Sequence, residues 1–336
     1  MDNLAAIIPG PRAPLEVCHV ETYHPGPAEL LIRNEVIAFN QIEAKIAKLA
    51  AVPIEYPAIL GSTFSGTIES VGEQVTGFQV GERVVVTKRF GTVGNQYGAY
   101  QRYVVVKDTM VSKVRLGADA GALASVMMNA TCVVGLFSGR VGLDRPGNGD
   151  ASEKNGDTRI LVYGGSSSFG SLSVRYLSQA GYQVVTTSSP AKAGYAKKMG
   201  AAAVIDHMQG ADDLEKALLS HGPYDVVADM ISTSTTIKIT ASVVAAQGGG
   251  KLYATQPVSA ELVPEGVQCV FEPWSDSLYE ETNKDLQRWT VQEYIPSVTT
   301  PEGIELINGG LHGIDEALGR LHRSGGGVRL LADPWA

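Results

Sequence analysis

Six short β-branched runs separated by helical stretches fill residues 159–271, and no other feature restricts the fold of this chain so tightly. The runs fall at 160–163, 183–187, 203–205, 225–228, 251–254 and 268–271, with helical segments at 171–180, 192–199 and 212–220 between them. Such alternation demands crossover connections, which set the strands parallel and cover both faces of the sheet with helices. The first run enters "YGGSSSFG", residues 163–170, and the chain leaves through Leu172, Val174 and Leu177, an apolar helical face. A dinucleotide fingerprint reads Gly-x-Gly-x-x-Gly. Here Gly165 and Gly170 frame Ser167, where the middle glycine belongs.

The physics tolerates that serine. A pyrophosphate is held by backbone N–H groups and by the positive end of the following helix. Gly165 supplies the tight turn and Gly170 the close approach of helix to strand. Ser166, Ser167 and Ser168 add hydroxyl donors, and Phe169 completes the candidate cofactor turn. The plain alternative is a small-residue loop at a strand end; the strand before it and the units downstream favour nucleotide binding. An NAD-specific site places an acid at the end of the second strand, where it grips the ribose 2′-hydroxyl. This chain has Thr187, Ser188 and Ser189 there, then Lys192, and His207 ends the next strand. Two hydroxyls and an ammonium bind a phosphate, so NADPH is expected over NADH. The bland readings are that Lys192 is a solvated helix residue and His207 a turn residue.

The chain of 336 residues, 44% hydrophobic and 18% charged, is long enough for two ordinary domains. A net charge of −8 offers no basic field to a polyanion, so nucleic acid is not an expected partner. No apolar run approaches the ~18 residues that span a bilayer. "MDNLAAIIPGPRAP" lacks the basic start and apolar core of a signal peptide, so a cytoplasmic protein without a membrane partner is expected. Cys18, Cys132 and Cys269 lie far apart and suggest no disulfide framework. The first 115 residues alternate in runs such as "AELLIRNEVIAF" and "ERVVVT", which predict a mostly antiparallel β domain. A polar stretch at 139–158 reads as an exposed loop, and "AGALASVMMNATCVVGLFSG" before it as a buried helix.

"YPAILGSTFSGTIESVGEQVTGFQVGERVVV", "GAYQRYVVV", "YGGSSSFG", "YDVVADMIST", "QGGGKLYATQP" and "GGLHGIDEAL" follow one another in the order of the medium-chain dehydrogenase/reductase superfamily, which the chain resembles over its whole length. The resemblance implies an α/β fold. A GroES-like, mostly antiparallel β domain would comprise residues 1–119 and 276–336, and a doubly wound Rossmann domain with a parallel sheet residues 120–275. Within the superfamily the chain looks most similar to fungal zinc-independent trans-enoyl reductases and quinone-oxidoreductase-like members, in which serine-rich versions of the turn occur. Where zinc-dependent relatives carry Gly-His-Glu, this chain has Gly61, Ser62 and Thr63, and their first cysteine ligand falls within "NQIE", residues 40–43, which has no thiol. The six histidines show no ligand spacing, so no metal is expected.

Without a metal, hydrogen-bond donors must stabilise the charge that hydride transfer places on a carbonyl oxygen, which favours enones and quinones over simple alcohols. "FNQIEAK" resembles the family's "NPxDWK" block, placing Asn40 at the asparagine, Glu43 at the acid and Lys45 at the lysine of the substrate cleft. Lys45 is thus the candidate proton donor, although Gln41 and Ala44 replace the proline and tryptophan; the alternative is a surface ion pair with Glu43 or a neighbour. Thr131 falls near the nicotinamide in similar proteins, and Asn129 and Tyr97 are candidates to line the substrate cleft, each with a packing alternative. His207 would stand for a tyrosine that flanks the 2′-phosphate. Trp274, Tyr279, Trp289 and Tyr294 are candidates to wall an elongated apolar substrate, with helix core the alternative for Trp289 and Tyr294. The expected function is zinc-free, NADPH-dependent reduction of an activated double bond in a lipophilic enone or carrier-bound acyl chain of secondary metabolism. A quinone or carbonyl reductase is the alternative. A nucleotide-binding protein of this fold without hydride transfer, such as a non-redox cyclase, is the alternative of another class. Monomer and homodimer are both allowed, the run at 268–271 being a candidate edge for pairing across a two-fold axis.

Overall fold

The computed structural model describes residues 2–147, 154–298, 303–324 and 328–336. Part of the predicted loop, 148–153, and the glycine run 325–327 lie outside the described residues. The contacts divide the chain into two compact units, Met1–Met128 with Tyr279–Ala336 and Asn129–Leu278.

The first unit carries β1 (Asn3–Ile8), β2 (Glu16–Val20), β3 (Glu29–Ala38), α1 (Gln41–Leu49), β4 (Ala58–Ile59), β5 (Thr63–Val71), β6 (Arg83–Thr87), β7 (Tyr103–Lys107) and β8 (Val111–Lys113). Its larger sheet is antiparallel through β3, β5, β6 and β8, with β7 also on β3. Alternate residues Val84 and Val86 of β6 face Phe64, Ile68 and Val104 in a fully apolar layer, as a period of two requires. Asn40 opens α1 through a capping box in which Glu43 returns a carboxylate oxygen to the Asn40 N–H at 2.7 Å. Ala44 and Ala47 of α1 pack into a second core with Ile8, Ile37 and Leu318. The helix α2 (Ala120–Val134) follows and widens into a π-helical turn, Gly135–Arg140.

That helix corrects the expectation that no segment could span a bilayer. Residues Ala120–Arg140 are long and apolar enough by length and composition, because Ala, Gly, Ser and Thr dilute the hydropathy of the stretch without charging it. Within the structure 78% of its most apolar window is buried, as in a core helix.

In the second unit, β9 (Arg159–Tyr163), α3 (Ser168–Gln179), β10 (Gln183–Ser188), α4 (Ala193–Lys198), β11 (Ala203–Asp206), α5 (Ala211–Ser220), β12 (Val226–Asp229), α6 (Ser234–Ala246), β13 (Gly250–Ala254) and β14 (Val267–Val270) alternate. All pairings are parallel, and the sheet runs β11-β10-β9-β12-β13-β14. Numbered from its own first strand this order is 3-2-1-4-5-6, the doubly wound arrangement, whose reversal falls between β9 and β12. Leu161 lies in register with Val185 on one side and Val227 on the other, so an apolar layer crosses the three central strands. Pro190 confines residues Pro190–Lys192 to a 3-10 turn, and the helix expected from 192 begins at Ala193. The chain ends in the first unit with α7 (Lys284–Trp289), α8 (Ile295–Ser297), β15 (Ile304–Leu306), α9 (Ile314–Ser324) and β16 (Arg329–Ala332), the last strand pairing with β3.

Candidate functional site

At the point where the strand order reverses, β9 delivers the chain into Gly164 at φ +86°. The Gly164 N–H donates to Thr187 Oγ1 at 2.8 Å and the Gly165 N–H to the Thr187 carbonyl at 3.0 Å, which fixes the turn to the end of β10. A side chain at either framing glycine would collide with the protein, at Gly165 with a side chain and at Gly170 with backbone. A Cβ on Gly165 would stand 2.0 Å from Thr186 Oγ1, and one on Gly170 would stand 2.2 Å from the Gly164 carbonyl oxygen. Ser167 takes the middle position by becoming the N-cap of α3, its Oγ accepting from the Gly170 N–H at 3.0 Å. The helix therefore begins at Ser168, three residues before the apolar periodicity suggests. Ser168 and Phe169 occupy its first two positions, whose N–H groups have no acceptor within a helix. This is the geometry of an anion site at a helix N-terminus.

Two other strand ends border the same edge of the sheet. At the end of β10, Ser188 is 1% exposed, and its Oγ has no hydrogen-bond partner among the described residues. Ser189 is half-buried, Lys192 and His207 are exposed, and the His207 N–H donates to the Ser188 carbonyl at 3.3 Å. Asp206, passed over in the sequence, stands in register with Ser188 and spends its carboxylate on the Met208 N–H at 2.8 Å. At the end of β12, Asp229 is fully buried and one carboxylate oxygen accepts from the N–H groups of Ile231 and Ser232 at 2.9 and 2.8 Å. The other accepts from Thr240 Oγ1 at 3.4 Å. That clamp holds Ser232 in the left-handed region, φ +56°, where a β-substituted residue is strained. Burial pushes the Asp229 carboxyl up from the ordinary range, against these donors. Ser232 and Thr233, with Gln256, Pro257 and Ser259 beyond β13, line an open cavity of about 480 Å³. Three strand ends, a glycine cradle and a buried hydroxyl without a partner fit a dinucleotide.

The first unit gathers a different polar cluster. Glu43 is 1% exposed. Its carboxylate accepts from the Asn40 N–H and from Asn40 Nδ2 at 3.3 Å, and the Ser62 side chain bonds to it as well. Asn40 Nδ2 also reaches Thr63 Oγ1 at 3.1 Å, and Thr63 faces Thr87 at 3.4 Å. Beyond Thr87, the Lys88 N–H donates to the Ser62 carbonyl at 2.7 Å, so Lys88 is pinned beside the Gly61–Ser62–Thr63 turn. Burial raises the Glu43 carboxyl and lowers the Lys88 ammonium, while the attraction between the two opposes both shifts. The Tyr100 hydroxyl is buried against this cluster without a partner among the described residues, and burial and the Glu43 charge push it well above the usual phenol range. Replacing Tyr100 by phenylalanine is expected to raise stability by about 1 kcal/mol, because it deletes a desolvated hydroxyl and keeps the ring. A fall in the urea midpoint would show that the hydroxyl has a partner.

Of the remaining expected residues, Lys45 is half-buried on α1, two positions past Glu43. Two positions turn a helix by about 200°, which separates the Cβ directions of Lys45 and Glu43. Tyr97 donates to Glu29 Oε1 at 2.7 Å. Asn129 is half-buried and Thr131 buried on the second-unit part of α2. Trp274 is core, with Nε1 donating to the Ala254 carbonyl at 2.8 Å, and Tyr294 is buried and stacked on Trp289 at 5.3 Å. Tyr279 lies under the Arg89 guanidinium at 5.0 Å. Among the described residues no three His, Cys, Asp or Glu side chains converge on a point that could hold a metal ion.

Residues 26–115, which contain the whole Glu43 cluster, match the alcohol dehydrogenase GroES-like domain. Over its length the chain is similar to Dehydrogenase azaJ of Aspergillus niger, 28% identical across 98% of each protein. It is also similar to Trans-enoyl reductase himH of Aspergillus japonicus, 26% identical across 88% of this chain and 86% of that protein. Among solved structures, mycobacterial Rv1454c complexed with NADPH shares the fold with a TM-score of 0.73 at 21% identity, covering 98% of this chain and 100% of that one.

Proposed function

This chain belongs to the medium-chain dehydrogenase/reductase superfamily, and from that premise we propose that it is a zinc-independent, NADPH-dependent reductase of an activated carbon–carbon double bond. The observation that carries the reading is the buried Ser188 hydroxyl without a partner, at the strand end that discriminates between the two nicotinamide nucleotides. When bound, NADPH supplies a hydride to the electron-poor carbon of such a bond. Gly165 and Gly170 let the turn close against β10 and against Gly164, and the N–H groups of Ser168 and Phe169 at the start of α3 would hold the pyrophosphate. Ser188, with Ser189, Lys192 and His207 beside it, would hold the 2′-phosphate. A trans-enoyl reductase among the relatives, and a structure of the same fold complexed with NADPH, support this reading. Ser62 and Thr63 offer hydroxyls where zinc-dependent relatives place an imidazole and a carboxylate, so the substrate must be one whose charge spreads over several atoms. A lipophilic enone or a thioester-linked enoyl chain meets that need, and so does a quinone.

Titration of the purified protein with NADPH and NADH tests the nucleotide, and absorbance decay over panels of enones, enoyl thioesters and quinones tests the reaction. Ser188→Ala is expected to weaken NADPH about tenfold and leave NADH unchanged, since one hydrogen bond to a charged group is worth about 1.5–3 kcal/mol. Equal losses for both nucleotides would detach Ser188 from the 2′-phosphate. NADPH that binds but is consumed with no panel would sink the reductase reading.

A further inference from the structure

We propose that His207 makes the preference for NADPH over NADH depend on protons, its imidazolium binding the 2′-phosphate and the preference fading as that proton is lost. This role rests on the nucleotide reading given above and needs only one edge of the second unit. β10 and β11 run parallel and their last paired residues are Ser188 and Asp206, so His207 is the first residue past the strand end beside Ser188. Neighbouring strands lie about 4.8 Å apart, and the His207 N–H donates to the Ser188 carbonyl at 3.3 Å. On the other side of His207, the Asp206 carboxylate fixes the turn by accepting from the Met208 N–H at 2.8 Å. Ser188 is 1% exposed and its hydroxyl has no partner among the described residues. A buried hydroxyl of that kind calls for a ligand atom to bond. The His207 imidazole is exposed and, among the described residues, makes no hydrogen bond or ion pair.

Histidine is the side chain whose charge changes near neutral pH, which a serine hydroxyl or a lysine ammonium does not do. Asp206 shares the strand end and its carboxylate opposes a phosphate. An imidazolium on the next residue offsets that charge and offers two N–H donors to the phosphate oxygens. β11 packs against β10, α4 and α5. β10 carries no charged residue, and Lys192 lies in the turn that follows it. α4 brings Tyr195, Lys197 and Lys198. α5 brings Asp212, Asp213, Glu215 and Lys216, of which Asp213 and Lys216 pair at 3.5 Å. The field of these groups acts on the pyrophosphate of both nucleotides, whereas the 2′-phosphate belongs to NADPH alone, so NADH is the internal control. A phosphate that favours the charged imidazole makes NADPH binding take up a proton and strengthen as pH falls, while NADH binding takes up none.

Nucleotide fluorescence titrations at about pH 6.5 and about pH 8.5 test the role, a window in which a phosphate monoester keeps most of its second charge. NADPH affinity is expected to fall about five- to tenfold from the lower pH to the higher, the size of a hydrogen bond between charged groups. NADH affinity should stay flat. His207→Gln should hold NADPH at the weaker level at both pH values, and His207→Lys at the stronger level at both. Equal NADH affinity in wild type and the two variants shows that all three are folded. Ser188→Ala should lower the whole NADPH curve without removing its slope. An NADPH slope that survives in His207→Gln, or one that NADH shares, overturns the assignment, and so does an NADPH affinity that is flat in the wild type. Each of those results leaves the nucleotide reading standing. If neither nucleotide binds, that reading falls and the role of His207 falls with it.

Discussion

Gly170→Val eliminates measurable NADPH binding, a loss of at least a hundredfold, while leaving the first unit folded. The expectation follows from distance alone. Even a Cβ at position 170 would stand 2.2 Å from the Gly164 carbonyl oxygen, and the neighbouring atoms are backbone that cannot rotate aside. To admit a branched side chain, α3 must lift from β9, and overpacking of this kind costs about 1–3 kcal/mol. The affinity loss should exceed that figure because the helix would carry the Ser168 and Phe169 N–H groups away from the position where they would hold an anion. Gly165→Val would meet the Thr186 side chain, which can yield, so its effect should be smaller. Nucleotide fluorescence titrations of the two variants decide the point. Wild-type affinity in Gly170→Val would mean that the serine-rich turn does not bind the nucleotide at all.

The turn and the sheet were legible in the sequence because they rest on local rules. β-branched runs specify buried parallel strands, and glycine spacing marks a close backbone approach. The role of Ser167 was not legible. In a run of three serines an N-cap and a phosphate ligand look alike, and only the 3.0 Å bond from the Gly170 N–H separates them. Ser188 was named among the nucleotide contacts, but that its hydroxyl is buried and orphaned depends on the register that sets it opposite Asp206.

The first-unit cluster shows the limit more sharply. Asn40-x-x-Glu43 is a capping-box spacing that could have been found, with Ala44 and Ala47 marking a helix face too small to keep Glu43 in solvent. A lysine after "VVVT" carries no comparable signal, since most such residues are solvated. Lys88 meets the cluster only because β5 and β6 pair in the register Thr63↔Thr87, a long-range fact. The helix at Ala120–Arg140 was underestimated for the opposite reason, its small residues masking an uncharged stretch of bilayer length.

Asp229 is the residue whose two substitutions should differ most. Asp229→Ala leaves the Ile231 and Ser232 N–H groups buried without an acceptor and is expected to cost about 3 kcal/mol. The strained turn at Ser232 would relax with it, and because Ser232 Oγ accepts from the Thr255 N–H at 2.8 Å, the β13 end of the cavity would loosen too. Asp229→Asn keeps the geometry: Oδ1 still accepts both N–H groups, and Nδ2 donates to Thr240 Oγ1 in place of accepting from it. The sign of its effect follows from linkage. The folded carboxyl titrates above the ordinary value of 3.8, so the folded state holds its proton to a higher pH than the unfolded chain does. Wild-type stability contributed by this group is therefore full below that value and declines as pH rises through the raised folded pKa, after which it is flat. The asparagine variant should match wild type at pH 3 and exceed it at pH 7, by about 1.4 kcal/mol for each unit of the shift. Glu43 is raised in the same direction, so only the difference between wild type and variant isolates Asp229. Urea unfolding at the two pH values reads both. A variant weaker than wild type at pH 7 would mean that the three donors stabilise the carboxylate by more than its burial penalises it, and that the clamp on Ser232 needs the charge.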